Sequence, residues 1–178
     1  KDALILETTW TSTSYVENLG GGKFQLNALP VRSQFAPVNG IVTADVNEDG
    51  NQDVLLIGND YGNEVFTGRY DAFTGLVLLG DGAGQFKETD TRTGGLNVSG
   101  DGKALAKLSV GNKDLFLAAQ NMDSLKIFQS ASLSNSFLES FALVDSRNLS
   151  LFKNLFQSIF ILLIFYSIKP IFPNHNHC

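Results

Sequence analysis

The sequence predicts an all-β chain, a partial β-propeller of about two four-stranded blades, with a tail of a different kind behind it. Three observations carry that expectation. Short apolar runs alternate with clusters of Gly, Asn and Asp, which is strand-and-turn punctuation. Related segments return at a nearly constant interval. All 17 glycines fall between Gly20 and Gly111, so the turn-rich pattern stops abruptly.

The repeat sets the strands. Gly20-Gly21-Gly22-Lys23-Phe24 returns as Gly82-Ala83-Gly84-Gln85-Phe86, a spacing of 62. Asp53 and its apolar run return at Asp114, a spacing of 61, and Phe66 returns as Phe128, a spacing of 62. Within the better-marked unit, strands are expected at 40–43, 53–57, 75–79 and 86–89. Four short strands per unit is the pattern of a propeller blade, and a single blade leaves sheet faces that a neighbour must cover. The chain opens on Lys1-Asp2-Ala3-Leu4-Ile5-Leu6, with Asp2 placed as Asp53 is, so it is expected to begin inside a repeat.

The chemistry is concentrated in Asp45-Val46-Asn47-Glu48-Asp49-Gly50-Asn51-Gln52-Asp53. Oxygen side chains recur at every second position around a glycine. Calcium takes about six to eight oxygens, and one loop supplies them by pointing alternate residues inward and turning sharply. Asp45, Asn47 and Asp49 are the expected side-chain ligands, Asn51 the backbone ligand, and Asp53 the residue that closes the shell. An EF-hand requires a glutamate at the twelfth loop position, which here is Leu56. The apolar run that follows marks a strand instead. An ordinary Asx-rich turn is the competing reading, since Asp, Asn and Gly also suit left-handed backbone. Laid over this loop, residues 106–114 keep Gly111, Asn112 and Asp114 but carry Ala106, Leu108 and Val110 at the inward positions, so no cation is expected there. The run Gly80-Asp81-Gly82-Ala83-Gly84 leads into a strand rather than a helix, which reads as a hairpin turn and not a phosphate cradle.

The calcium-type loop feeding a strand, with Leu-Gly-x-Gly-x-Phe hairpins at this interval, resembles the FG-GAP/VCBS repeat family. Ser14-Tyr15-Val16-Glu17-Asn18-Leu19-Gly20 and Gly68-Arg69-Tyr70-Asp71-Ala72 are similar to its bacterial VCBS-type members. The resemblance covers residues 1–129. It implies a seven-bladed ring in the longer relatives, calcium on Asp45, Asn47, Asp49, Asn51 and Asp53, and a secreted or cell-surface location.

Composition bounds the rest. Residues 1–129 hold 10 basic and 16 acidic side chains, a net of −6, whereas 130–178 hold 3 and 2, a net of +1. The acidic first part has no basic patch for nucleic acid. The single cysteine excludes a disulfide framework. Residues 130–178 contain seven of the 14 Phe and read as a membrane segment or as aberrant, run-on sequence. The membrane reading rests on 149–168, and helical spacing is expected at Leu133, Phe137, Phe141 and Val144. His175, His177 and Cys178 and the sequons at Asn97 and Asn148 carry no assignment.

The function expected is a calcium-stabilised binding or adhesion scaffold for an extracellular protein or a carbohydrate. The alternative is part of a propeller-fold hydrolase or lyase whose catalytic residues lie elsewhere. No histidine precedes His175, so a histidine-based catalytic system cannot be assembled from the first part. Arg69, Tyr70 and Asp71, in the connection between Gly68 and Gly75, are the expected partner contact. Their competing reading is an Arg69–Asp71 pair across one turn.

Overall fold

The computed structural model describes residues 4–111, 113–130 and 136–144. The chain divides into two compact units, Lys1–Leu143 and Val144–Cys178. The first is nearly all β. It holds a hairpin of β1 (Ser14–Gly20) and β2 (Lys23–Ala28), a 3-10 turn at Val31–Gln34, and β3 (Val38–Ala44), β4 (Asp53–Gly58), β5 (Leu76–Gly80) and β6 (Phe86–Glu88). After a single helical turn, α1 (Thr91–Gly94), come β7 (Gly102–Val110), β8 (Lys113–Gln120), β9 (Leu125–Ser130) and β10 (Leu138–Val144). They form three sheets: β1-β2, β3-β4-β5-β6 and β10-β9-β8-β7. The pairs β3–β4, β4–β5, β5–β6, β7–β8 and β8–β9 are antiparallel, and strands adjacent in the chain are adjacent in each larger sheet, as in a meander.

The four strands expected in the first large sheet all form, within two residues of their expected ends. Val54-Leu55-Leu56-Ile57 is apolar without alternation because both faces of β4 are covered. Leu55, Ile57 and Val77 join a core that also holds Phe116, Ala118 and Phe128 of the second sheet. Leu56, Leu76 and Leu78 face the other way, into a smaller cluster with Ala36 and Phe73.

Register relates the two large sheets. Each has a bulge at the start of its first strand, between Val38 and Gly40 in one and between Gly102 and Ala104 in the other. Matching the bulges gives an offset of 64 for the first strands (102 − 38) and 62 for the second (120 − 58). The third strands then differ by 50 (128 − 78). Under these offsets Phe116, Ala118 and Phe128 occupy the places of Val54, Leu56 and Leu78. The sheets therefore stack front to back: the Leu55 face of one meets, in the other, the counterpart of its own Leu56 face. The approach is close at Gly40, where a Cβ would lie 2.7 Å from the Leu105 nitrogen.

This register corrects two expected equivalences. Asp53 corresponds to Leu115 and not to Asp114, which stands one residue earlier and so on the opposite face. Phe66 and Phe128 do not correspond at all. Phe66 is 98% exposed in the connection between β4 and β5, and Phe128 is buried in β9. The cause is length: 17 residues (59–75) join β4 to β5, but four (121–124) join β8 to β9.

The compositional break near 129 also falls inside a sheet, because β10 supplies its fourth strand. Residues 138–144 are thus strand, where helical spacing of Phe137, Phe141 and Val144 was expected. Leu138 is 1% exposed in the shared core, and burial of that kind outweighs a weak local preference. The expected membrane segment 149–168, Leu133, the sequon at Asn148 and His175, His177 and Cys178 lie outside the described residues. Among the described residues no helix is long and apolar enough to cross a membrane.

Candidate metal centre

The connection between β3 and β4 folds around its own side chains. The Asp45 carboxylate accepts from the backbone N–H of Asp49 (3.1 Å) and of Gly50 (2.8 Å). Asn47 Oδ1 also accepts from the Asp49 N–H, and its amide donates to Asp49 Oδ2 at 2.8 Å. Asp49 Oδ1 in turn accepts from the Asn51 N–H at 2.8 Å. Left-handed backbone at Glu48 (φ 60°) and Gly50 (φ 88°) makes the turn that brings these groups together. Asp45, Asn47 and Asp49 are therefore tied together within one turn. The Asn51 N–H, followed by the Asn47 side chain, holds the Asp49 carboxyl below its ordinary range, so it stays charged.

Asp53 is placed differently from its two acidic neighbours. It is fully buried, with Oδ2 accepting from the Val46 N–H (2.9 Å) and Oδ1 from the Gly80 N–H (3.0 Å). It latches the loop entrance to the end of β5. Burial pushes its carboxyl up, against those two hydrogen bonds, and the charges of Asp49 and Asp45 push the same way. A cation in the loop would relieve that repulsion, and each Asp53 oxygen keeps a second lone pair. Asn51 turns its side chain toward the β5–β6 turn: a Cβ on Gly82 would meet Asn51 Oδ1 at 2.5 Å. That leaves its backbone carbonyl as the expected donor.

Among the described residues no group of three or more His, Cys, Asp or Glu side chains is placed to hold a metal ion. The loop's donors are a mixed set, two carboxylates with an amide and the Asn51 carbonyl, which suits a hard cation. Asp45, Asn47 and Asp49 are the hard oxygen donors such a cation would take, and in this structure they bond the N–H groups of the turn and one another. Asp53 fits as a buttress whose carboxylate reaches a cation only through its remaining lone pairs.

Among the described residues the second sheet has no such loop. Its first two strands run on through Val110 and from Lys113. The Asp114 carboxylate is taken by Lys107 Nζ at 2.8 Å and by the Ser109 hydroxyl. Those two partners, Lys107 first, hold its carboxyl below the ordinary range. The ammonium sits where a cation would otherwise compensate the charge.

Arg69, Tyr70 and Asp71 do lie in a surface connection, but Arg69 does not pair with Asp71. Its guanidinium lies 4.7 Å from the centre of the Tyr61 ring. Tyr70 exchanges two backbone hydrogen bonds with Asp60, both 2.9 Å, and is 48% exposed. The three residues are held on a common stem.

Two features escaped sequence reasoning. Asn59, fully buried with φ 85°, donates to the carbonyls of Phe73 and Gly100 and accepts from the Phe73 N–H. It pins the long connection to the linker between the sheets. Beside it, Lys103 pairs with buried Asp101 at 2.7 Å. The only local signal was a Gly58-Asn59 step at the end of an apolar run.

Comparison with known proteins returned nothing: no family model, no curated protein and no solved structure matches this chain.

Proposed function

We propose that this chain is a calcium-stabilised segment of a β-propeller of the FG-GAP/VCBS type, serving as a binding or adhesion scaffold of a secreted or cell-surface protein. One observation carries the reading: Asp45, Asn47 and Asp49 gather in the connection between the first two strands of a four-stranded meander. The front-to-back stacking of the two meanders supports the propeller half of it, because that relation can be repeated indefinitely around a ring. Calcium is the resident ion on this reading. Its ligands are Asp45, Asn47 and Asp49 with the Asn51 carbonyl, and Asp53 holds the loop to β5. Extracellular calcium is abundant enough to fill a site of modest affinity, about 10⁻⁴–10⁻³ M.

The ion's contribution is structural. A ligand that binds only the folded state raises its stability by mass action, by about 2.7 kcal/mol at one hundred times Kd. The full chain melted in excess calcium chloride should therefore unfold several degrees higher than in chelator, and magnesium should substitute poorly because it demands tighter octahedral geometry. Identical melting in calcium and chelator would contradict the reading. Arg69, Tyr70 and Asp71 remain the proposed contact for an extracellular protein.

A further inference from the structure

We infer that the cleft between the β1–β2 hairpin and the β5–β6 turn is a binding site for a neutral oligosaccharide. The inference rests on the binding-scaffold reading and gives that scaffold a ligand class and a place to hold it.

The cleft encloses about 460 Å³, within the range of about 300–1,000 Å³ common for small-molecule sites. Tyr15 and Phe86 form its aromatic wall, with ring centroids 5.6 Å apart and planes at 70°. An edge-to-face pair leaves ring surface that its partner does not cover. Leu29 and Pro30 add apolar surface and Gln85 brings a side-chain amide, while the Asn27 amide is bonded to Gln25 and Glu17 within the hairpin. The Gln85 amide and the Tyr15 hydroxyl make no hydrogen bond among the described residues, so their donors and acceptors are available to a ligand.

The chemistry of this lining selects the ligand. No carboxylate, ammonium or guanidinium lines the cleft, so neither an anion nor a cation would find a counter-charge. A pyranose has a ring face of C–H groups and a rim of hydroxyls that each donate and accept. Aromatic surface meets the first, and amides, which also donate and accept, meet the second. Gln85 and Phe86 also wall a second cleft, of about 440 Å³, which is charged where the first is not, with Asp49, Asp81 and Lys87 in its lining beside Asn51. Two adjoining clefts across one ridge suit a chain of sugars better than a single ring. The ridge is fixed from below, since the turn that carries it is latched to the candidate metal loop through Gly80 and Asp53.

The full chain applied to an array of neutral β-glucan, galactan, mannan and chitin oligosaccharides tests this, with proline-rich peptides on the same surface as controls. Such peptides are the other class that aromatic grooves take. Retention of at least one neutral glycan is expected, weakened at least tenfold in Tyr15→Ala and in Gln85→Ala. Tyr15→Ala could loosen the hairpin, so Gln85→Ala, at an exposed amide, must show the loss with melting temperature unchanged. No retained glycan, retention equal in both variants, or retention of the peptides alone would overturn the inference. Calcium binding measured separately keeps the two readings apart: a chain that takes calcium but no glycan loses this site and keeps the proposed scaffold.

Discussion

In the first large sheet β3 ends at residue 44 and β4 begins at 53, leaving eight residues between them; in the second, β7 ends at 110 and β8 begins at 113, leaving two. The bulge-matched registers place Ser109 where Asp45 stands and Leu115 where Asp53 stands. The second connection is thus shorter by two residues over the same span, six (109–114) against eight (45–52). A candidate site is therefore absent from the second sheet for two reasons. Ser109 stands where the carboxylate of Asp45 does in the first loop, and the chain is too short to turn around an ion. What remains is an ordinary hairpin whose single carboxylate is neutralised by Lys107. The difference shows how one sheet frame can hold a charged loop at one position and a plain turn at the next.

The largest test of this comparison lies in the core. Leu55 is fully buried against the second sheet, while its register counterpart Leu117 is half-buried. Leu55→Ala should cost about 2–5 kcal/mol in denaturant unfolding, the usual range for a buried leucine. Leu117→Ala should cost less than half as much. Equal losses would mean the outward face of the second sheet is as fully packed as the shared one.

Next in size is the pair Asn59 and Asn121, which the offset of 62 also relates. Asn59 is buried and bonded to the Phe73 and Gly100 carbonyls, whereas Asn121 is exposed and donates to Asp101 at 3.2 Å. Removing a side chain that satisfies buried backbone groups costs about 1–3 kcal/mol for each group left unpaired. Asn59→Ala should therefore lose about 3 kcal/mol or more, and Asn121→Ala under about 1 kcal/mol. A similar loss in both would sink the view that Asn59 pins the long connection.

How much of this was legible follows from the range of the interactions. The strands of the first large sheet could be read because turn glycines and apolar runs mark them locally. The side-chain-bonded turn at 45–53 could be read because its Asp, Asn and Gly residues lie within nine consecutive positions. Register could not, since it depends on bulges and on connection lengths that differ between the sheets. Phe66 and Phe128 matched in spacing alone, in a chain with 14 phenylalanines to match among. β10 was hidden because its apolar residues also fit a helix until β9 lies beside them. Asn59 and the Tyr15–Phe86 pair find partners 14 to 71 residues away, beyond any local pattern.

The smallest effect concerns the two aspartates that the expected repeat had equated. Burial raises the Asp53 carboxyl above the ordinary 3.8, and Lys107 and Ser109 lower that of Asp114 beneath it. Their pH dependences are therefore opposite in sign. A raised pKa means that the folded state binds the proton more tightly, so the penalty from charged Asp53 is relieved as pH falls through its folded value. The lowered pKa of Asp114 means a contribution present above 3.8 and lost as pH falls through a folded value below it. That pair is partly exposed and is worth at most about 1 kcal/mol. Asp114→Asn should therefore destabilise slightly at neutral pH, with the difference from the parent vanishing in acid. A difference that grew on acidification would reverse the assignment.

The comparison of the two loops is tested most directly by calorimetric titration of the full chain with calcium chloride. One ion per chain is predicted, with binding abolished by Asp49→Ala, which removes both an oxygen ligand and a charge the cation needs. Asp114→Ala should leave the titration unchanged. Binding that survives Asp49→Ala, or that falls when Asp114 is removed, would contradict the assignment of calcium to the first loop alone.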